Sequence, residues 1–357
     1  MSSPATDRLV IATRNSPLAL WQAEDVKRRL QERFPELQVE LLRMTTKGDV
    51  LLDSPLAKIG GKGLFVKELE EAMLDGRADI AVHSIKDVPA MLPDGLEVGV
   101  MLARENPRDA FVSNRYDSPA DLMLGARIGT CSLRRQAQLL ARRPDLDIAP
   151  LRGNVNTRLR KLDDGHYDAI VLAAAGLVRL GMPDRIRAEF PIEDSLPAAG
   201  QGIVGIESRI GDGRVRRYLA VLHDPSAASR CRAERGLSAR LDGGCQVPIG
   251  AYSVVRRGQV WLRGLVATPD GARVLRAQAS ASPGNAHALG VRVAEDLLAQ
   301  GADRILGELG LTPKPVDALS AVFAEPAVTA ADTLAARWAI EAAERARSMS
   351  ADALKTA

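Results

Sequence analysis

The chain has 357 residues, 46% hydrophobic and 26% charged, ordinary values for a globular protein with room for two or three cores. It contains no uncharged apolar run of about 18 residues, and its short polar start from Met1 to Arg8 has no apolar stretch; neither a transmembrane helix nor a secretory signal is expected. Three scattered cysteines, Cys131, Cys231 and Cys245, exclude a disulfide framework, and four histidines without a C-x-x-C pair give no expectation of a metal site, so reduced thiols in a cytoplasmic setting fit best.

In chain order, Arg8–Thr13 reads as a strand. Pro17–Phe34 reads as a helix with Ala19, Ala23, Val26 and Leu30 on one face. Val39–Thr45 is a second strand, Leu64–Leu74 a helix, and Ala78–Ile85 an apolar strand running into a polar turn. Leu96–Leu102 and Ala110–Ser113 follow as strands. The theme restarts with strand Arg127–Gly129, helix Leu133–Arg143, strand Ile148–Leu151, helix Val155–Leu162 and strand Tyr167–Ala173. Such alternation implies α/β sheets, two of them at this length. The last third differs. Helix Ala227–Leu241 leads into the turn Asp242-Gly243-Gly244. Strands Ile249–Val255, Val260–Ala267 and Arg273–Ser280 then alternate with period two, and helices Ala286–Ala299 and Ala302–Leu309 complete a small α+β unit. Pro313, Pro315 and Pro326 read as a linker before an Ala-rich helix over Asp332–Arg347.

The net charge is only +3, but Arg127–Lys161 holds nine Lys/Arg against two acids, a local excess of +7, so the remainder sums to −4. One region is built to meet anions. Nucleic acid is the rival partner, yet aromatics make up 3% of the chain, too few for the stacking platforms of single-strand binders.

Helix N-termini favour acidic side chains, and this sequence does the reverse three times. Arg14 precedes the Ser16 cap and Pro17. Arg134 and Arg135 follow Thr130-Cys131-Ser132. Arg152 and Arg158 flank the Asn154 cap. A bound anion would supply the missing charge. Three such sites, each after a strand, place carboxylates or phosphates at the C-terminal sheet edges, where open α/β folds hold ligands; a solvated surface is the bland alternative. Gly60-Gly61-Lys62-Gly63 resembles half a P-loop, but the motif's first glycine is missing and no Ser or Thr follows Lys62. A lid over Thr46–Gly63, carrying Lys58 and Lys62, fits better.

In His83-Ser84-Ile85-Lys86-Asp87, extended geometry puts Ser84 and Lys86 on one face and Asp87 at the strand end. An ion pair with Lys86 or an arginine would account for Asp87. With a polyanionic ligand and chemistry that passes through a cation, a carboxylate facing that cation is the other account, and spacing does not choose. His83 reads as a satisfied buried histidine.

Taken together, Ile11-Ala12-Thr13-Arg14, Gly60-Gly61-Lys62-Gly63-Leu64-Phe65, His83-Ser84-Ile85-Lys86-Asp87-Val88-Pro89, Leu133-Arg134-Arg135, Leu151-Arg152-Gly153-Asn154-Val155, Ala199-Gly200-Gln201-Gly202 and Gly243-Gly244-Cys245-Gln246-Val247-Pro248 resemble the porphobilinogen deaminase family over about Leu9 to Leu309. The resemblance implies two α/β domains like type II periplasmic binding proteins, plus a small C-terminal α+β domain with a three-stranded antiparallel sheet. The expected division is 1–103 with 202–222, then 104–201, then 223–312, with 313–357 as an extension. It implies a dipyrromethane cofactor joined by a thioether to Cys245. On this primer four porphobilinogens are joined head to tail, with loss of ammonia through an electrophilic azafulvene, and water releases hydroxymethylbilane.

The resemblance further implies that Asp87 stabilises positive charge on pyrrole nitrogens. Ser84, Lys86, Thr130, Ser132, Arg134, Arg135 and Arg158 are implied for the cofactor, and Arg14, Ser16, Arg152, Arg179 and Gln201 for substrate. The expected partners are porphobilinogen and the growing polypyrrole, without nucleic acid or membrane, in a monomer. Cys131 stands where the pattern has serine, and 312–357 lies beyond the matched core. The alternative is a non-catalytic small-anion-binding protein of similar architecture, which would have no need of the third domain; an RNA binder would show steep salt dependence.

Overall fold

A computed structural model describes residues 7–50, 63–244 and 247–319. Cys245, Lys58, Lys62 and the expected helix at Asp332–Arg347 lie outside the described residues.

The first strand, β1 (Arg8–Arg14), is buried on both faces from Leu9 to Thr13, as an interior parallel strand must be. It runs parallel to β2 (Gln38–Met44) on one side and β3 (Ile80–Ser84) on the other. Between β1 and β2, helix α1 (Pro17–Arg33) starts where Ser16 Oγ accepts the Ala19 N–H at 3.4 Å, with Pro17 in its first turn. Its buried Ala19, Ala23, Val26 and Leu30 are the expected apolar face. After a single turn α2 (Lys47–Val50) come α3 (Lys67–Leu74), shorter than expected at its start, and β4 (Leu96–Met101).

The chain then crosses to a second sheet. This contains β5 (Asp109–Val112), β6 (Arg127–Gly129), β7 (Asp147–Ala149), β8 (Ala169–Ala173) and β9 (Ala188–Glu189). Helices α4 (Leu133–Leu140), α5 (Val155–Asp163) and α6 (Ala174–Arg179) connect its strands. The chain returns to the first sheet as β10 (Val204–Arg209).

The two strand orders are β2-β1-β3-β10-β4 and β7-β6-β8-β5-β9. In both, the strand that enters from the other sheet is inserted antiparallel beside the third strand. This repeated order, with two crossovers between the sheets, is that of type II periplasmic binding proteins. The return strand β10 has no counterpart among the expected elements, although Ile203-Val204-Gly205-Ile206 is an apolar run between glycines.

The third unit follows α7 (Gly213–Leu219). Helix α8 (Pro225–Arg240) precedes a meander of β11 (Ile249–Arg256), β12 (Gln259–Ala267) and β13 (Val274–Ala281), and helices α9 (Ala286–Ala299) and α10 (Ala302–Glu308) close it. Arg257 and Gly258, both at positive φ, make the tight β11–β12 turn. The β12–β13 tip reaches back to the second sheet: a Cβ on Gly271 would overlap Ala141 N and Ala137 O at the end of α4.

A buried ion pair ties this unit to both crossovers. Arg104 donates to Glu234 at 2.7 and 2.5 Å, and Glu234 also accepts the Gly200 N–H, the Ser253 N–H and Ser253 Oγ. Beyond α10, Lys314 N–H donates to Arg240 O at 2.9 Å and Leu319 is fully buried, so the stretch expected as linker is docked as far as it is described. Among the described residues no helix is long and apolar enough to cross a membrane.

Candidate functional site

The segment expected as a strand into Ile85 ends at Ser84, and Ile85–Asp87 form a 3₁₀ turn. Strand alternation therefore stops before Lys86. Instead of sharing a face with Ser84 by pleat, Lys86 turns toward the second sheet, where Arg134, Arg135 and Asp109 act on its charge. Burial, opposed by Asp87 and assisted by Arg135, lowers the Lys86 pKa to about 8.

Asp87 lines a small cavity in the cleft, together with Arg14, Ser16, Gln22, Phe65, His83 and Ser84. Gln22 Nε2 donates to Ser84 Oγ at 2.8 Å, which orients that hydroxyl. Among the described residues Asp87 has neither an ion-pair partner within 4 Å nor a side-chain hydrogen bond. Among those residues the salt bridge that would have explained it as structural is not formed. Its charge acts on Lys86, Arg135 and Arg158, so it stands between the sheets. His83, as expected, is buried and satisfied, with Nε2 2.9 Å from Glu207 Oε2.

All three helix starts are capped as read. Ser16 accepts the Ala19 N–H, Ser132 the Arg135 N–H at 3.4 Å, and Asn154 the Thr157 N–H at 2.9 Å. Their arginines, however, are not all waiting for an external anion. Arg14 makes a two-point pair with Asp49. Arg134 and Arg135 both pair with Asp109, which is fully buried and also accepts Ser195 Oγ at 2.8 Å and Gln201 Nε2 at 3.1 Å.

The negative charge at the start of α4 thus comes from within the chain. Burial alone would raise the Asp109 pKa, but the two guanidiniums outweigh it and hold the carboxyl far below its ordinary range. Arg134 is 3% exposed and also donates to Leu196 O. Arg135 is 6% exposed, donates to Val171 O, and keeps N–H groups beyond those used.

The remaining positions gather on the same side. Thr130 Oγ1 accepts the Ser132 N–H at 3.1 Å, which fixes the turn around Cys131 without any bond from the thiol. Arg158 Nε donates to Gly153 O at 2.8 Å; burial, then repulsion from Arg135, lowers its pKa. Arg152 is half-buried at the same turn. Arg179 donates to Gly202 O at 2.8 Å and lies over Trp21 of α1 at 5.9 Å, bridging the cleft. Gln201 is fully buried and reaches Asp109 rather than the cavity.

Cys231 is fully buried, and burial pushes its thiol up to about 11, so it is no nucleophile. Residues that flank Cys245, Gly244 and Val247, fall between α8 and β11. Asp49, Asp109 and Glu207 were not singled out in the sequence. Each is an ordinary acid there, and its importance comes from cations on other elements.

Fold and site together define an α/β protein with a cation-rich cleft between two sheets, the half-buried carboxylate of Asp87 lining it, and a third domain locked to its crossovers. Residues 9–217 match the family model "Porphobilinogen deaminase, dipyromethane cofactor binding domain" and 228–299 match "Porphobilinogen deaminase, C-terminal domain". The chain belongs to the porphobilinogen deaminase family. It is a hydroxymethylbilane synthase, a transferase of porphyrin and heme biosynthesis that condenses four porphobilinogens, with loss of ammonia, into hydroxymethylbilane on a dipyrromethane cofactor. The non-catalytic alternative is set aside.

Among solved structures it is similar to a putative methionine-binding lipoprotein from Bacillus subtilis (13% identity, 63% of this chain and 93% of that chain, TM-score 0.39). It is also similar to a periplasmic substrate-binding protein of an ABC transporter from Coxiella burnetii (16%, 62% and 94%, 0.38) and to a BvgS domain from Bordetella pertussis (18%, 59% and 84%, 0.37). Likenesses this distant add nothing to the strand order described above.

Proposed function

We propose that Asp87 is the catalytic group of this synthase and that Cys245 carries the cofactor thioether. The observation that supports the first role is a carboxylate in the cleft cavity without an ion-pair partner among the described residues, within the field of Lys86, Arg135 and Arg158. Departure of ammonia leaves positive charge on the pyrrole nitrogen of the substrate. A carboxylate fixed nearby stabilises that charge as it forms, and in a desolvated cleft this is worth far more than in water. An ion-paired carboxylate would have its field cancelled beforehand.

The residues present suit a cofactor bearing acetate and propionate groups. Ser84 and Lys86 from the first sheet offer a hydroxyl and a cation, and Thr130, Ser132 and Arg158 from the second offer two hydroxyls and another cation. Arg135 adds its spare N–H groups, and Arg134 acts through its field and by holding Asp109. When bound, the dipyrromethane supplies the pyrrole carbon to which the first substrate is joined. Arg14, Ser16, Arg152 and Arg179 then receive substrate carboxylates, while Gln201 positions Asp109 and Lys58 and Lys62 belong to the lid.

The domain division at 103/104, 201/202 and 222/223, a cytoplasmic location and a monomer complete this reading. The two crossovers that Arg104 and Gln201 occupy fit the first two boundaries. An intact mass of the purified protein tests the primer: an adduct of two pyrrole units is expected, absent in Cys245→Ala. An unmodified, fully active wild type would overturn the assignment.

A further inference from the structure

Arg14, which lines the Asp87 cavity, is paired with a second carboxylate that the reaction has not yet used. Arg14 Nε donates to Asp49 Oδ2 at 3.1 Å and its Nη2 to Oδ1, the fork geometry in which arginine grips any carboxylate. Asp49 is itself held, with the Thr46 N–H and Oγ1 donating to Oδ2 at 3.2 and 2.8 Å. Phe65 lies over the guanidinium at 4.4 Å. The turn that bears Asp49 is braced from below, where Gly48 N–H donates to Leu64 O and Lys47 N–H to Glu68 Oε1. Both members of the pair are 21% exposed, so a ligand entering the cleft has access to them, unlike the sealed Asp109 cluster. Arg14 and Asp87 line one cavity, yet the guanidinium is committed to Asp49.

We propose that Asp49 is a stand-in for a substrate carboxylate. It occupies the Arg14 fork while the cleft is empty, keeps that guanidinium off Asp87, and gives way when a porphobilinogen carboxylate arrives. The inference rests on Arg14 as a carboxylate receptor. The exchange swaps one carboxylate for another, so Arg14 is never left as an uncompensated, half-buried charge. Thr46 retains the displaced Asp49 as a hydrogen-bonded carboxylate next to its former partner. Burial pushes the Asp49 carboxyl up, but Arg14 outweighs it and keeps it ionised. Asp49 is thus a positioning residue that sets how strongly substrate must bind to open the site.

Steady-state kinetics of the holoenzyme with porphobilinogen test this. With the internal competitor gone, Asp49→Asn is expected to lower KM about three- to tenfold, without raising kcat. Asp49→Glu should restore KM to within about twofold, and Thr46→Val should shift it in the same direction as Asp49→Asn but less. In an Arg14→Gln background, Asp49→Asn should leave KM unchanged. A rise in KM for both Asp49→Asn and Thr46→Val, or an equal effect with and without Arg14, would overturn the proposal; Thr46→Val decides alone if Asp49→Asn does not fold. Arg14→Gln by itself separates the two readings. An unchanged KM there removes Arg14 as receptor, whereas a raised KM with no Asp49 effect removes only the stand-in.

Discussion

The two α/β sheets share one strand order and manage their charges in opposite ways. At the edge of the second, Arg134 and Arg135 close on Asp109, and Ser195 and Gln201 seal the same carboxylate from the crossover. At the edge of the first, Arg14 is held by Asp49 at the surface of a cavity and Asp87 has no ion-pair partner among the described residues. One edge commits its carboxylate to an internal ion-pair cluster, and the other keeps one that the proposed mechanism uses. The same topology thus supplies a cationic wall at one edge and, on the function proposed above, a reactive face at the other.

Asp109→Asn should break the second edge. It leaves two buried guanidiniums with a neutral partner, and a cost of about 3–5 kcal/mol is expected in urea or thermal denaturation. A loss below about 1 kcal/mol would show that the cluster is not architectural. The reciprocal change, Asp87→Asn, should cost little stability but reduce kcat by about 10²–10³-fold, as removal of a preorganised electrostatic partner does. If stability falls and turnover survives, the contrast between the edges is inverted.

A finer test uses Lys86, which joins them. With its pKa lowered to about 8, its cation is present below that pH and lost above it. Affinity for carboxylate ligands should therefore fall as pH rises through about 8, and Lys86→Arg, charged throughout, should flatten that limb. An identical alkaline limb in Lys86→Arg would assign it to another group. The smallest effect is expected at Trp21, over which Arg179 lies from across the cleft. Trp21→Leu removes a contact worth about 0.5–1 kcal/mol, so kcat/KM should change by no more than severalfold.

Much of the site was legible because it consists of residues in unusual local settings. Arginines at helix starts violate a local electrostatic preference, and caps such as Ser16, Ser132 and Asn154 act within three residues. Asp109 and Asp49 were illegible because their partners, Arg134, Arg135 and Arg14, lie 25 to 35 residues away on other elements. The inserted strand β10 escaped for a related reason: its place between β3 and β4 depends on pairing with strands more than a hundred residues earlier.

Composition, periodicity and capping by themselves determined an α/β chain with a cation-rich region and an awkward carboxylate at the end of an apolar strand, since those signals act over a few residues. The motifs determined the family and singled out Cys245. Which cations meet their own carboxylates, and that Asp87 pairs with none among the described residues, was decided only when the two sheets and their crossovers came together. Charges pair through space at a few ångströms, and no spacing along the chain encodes that distance.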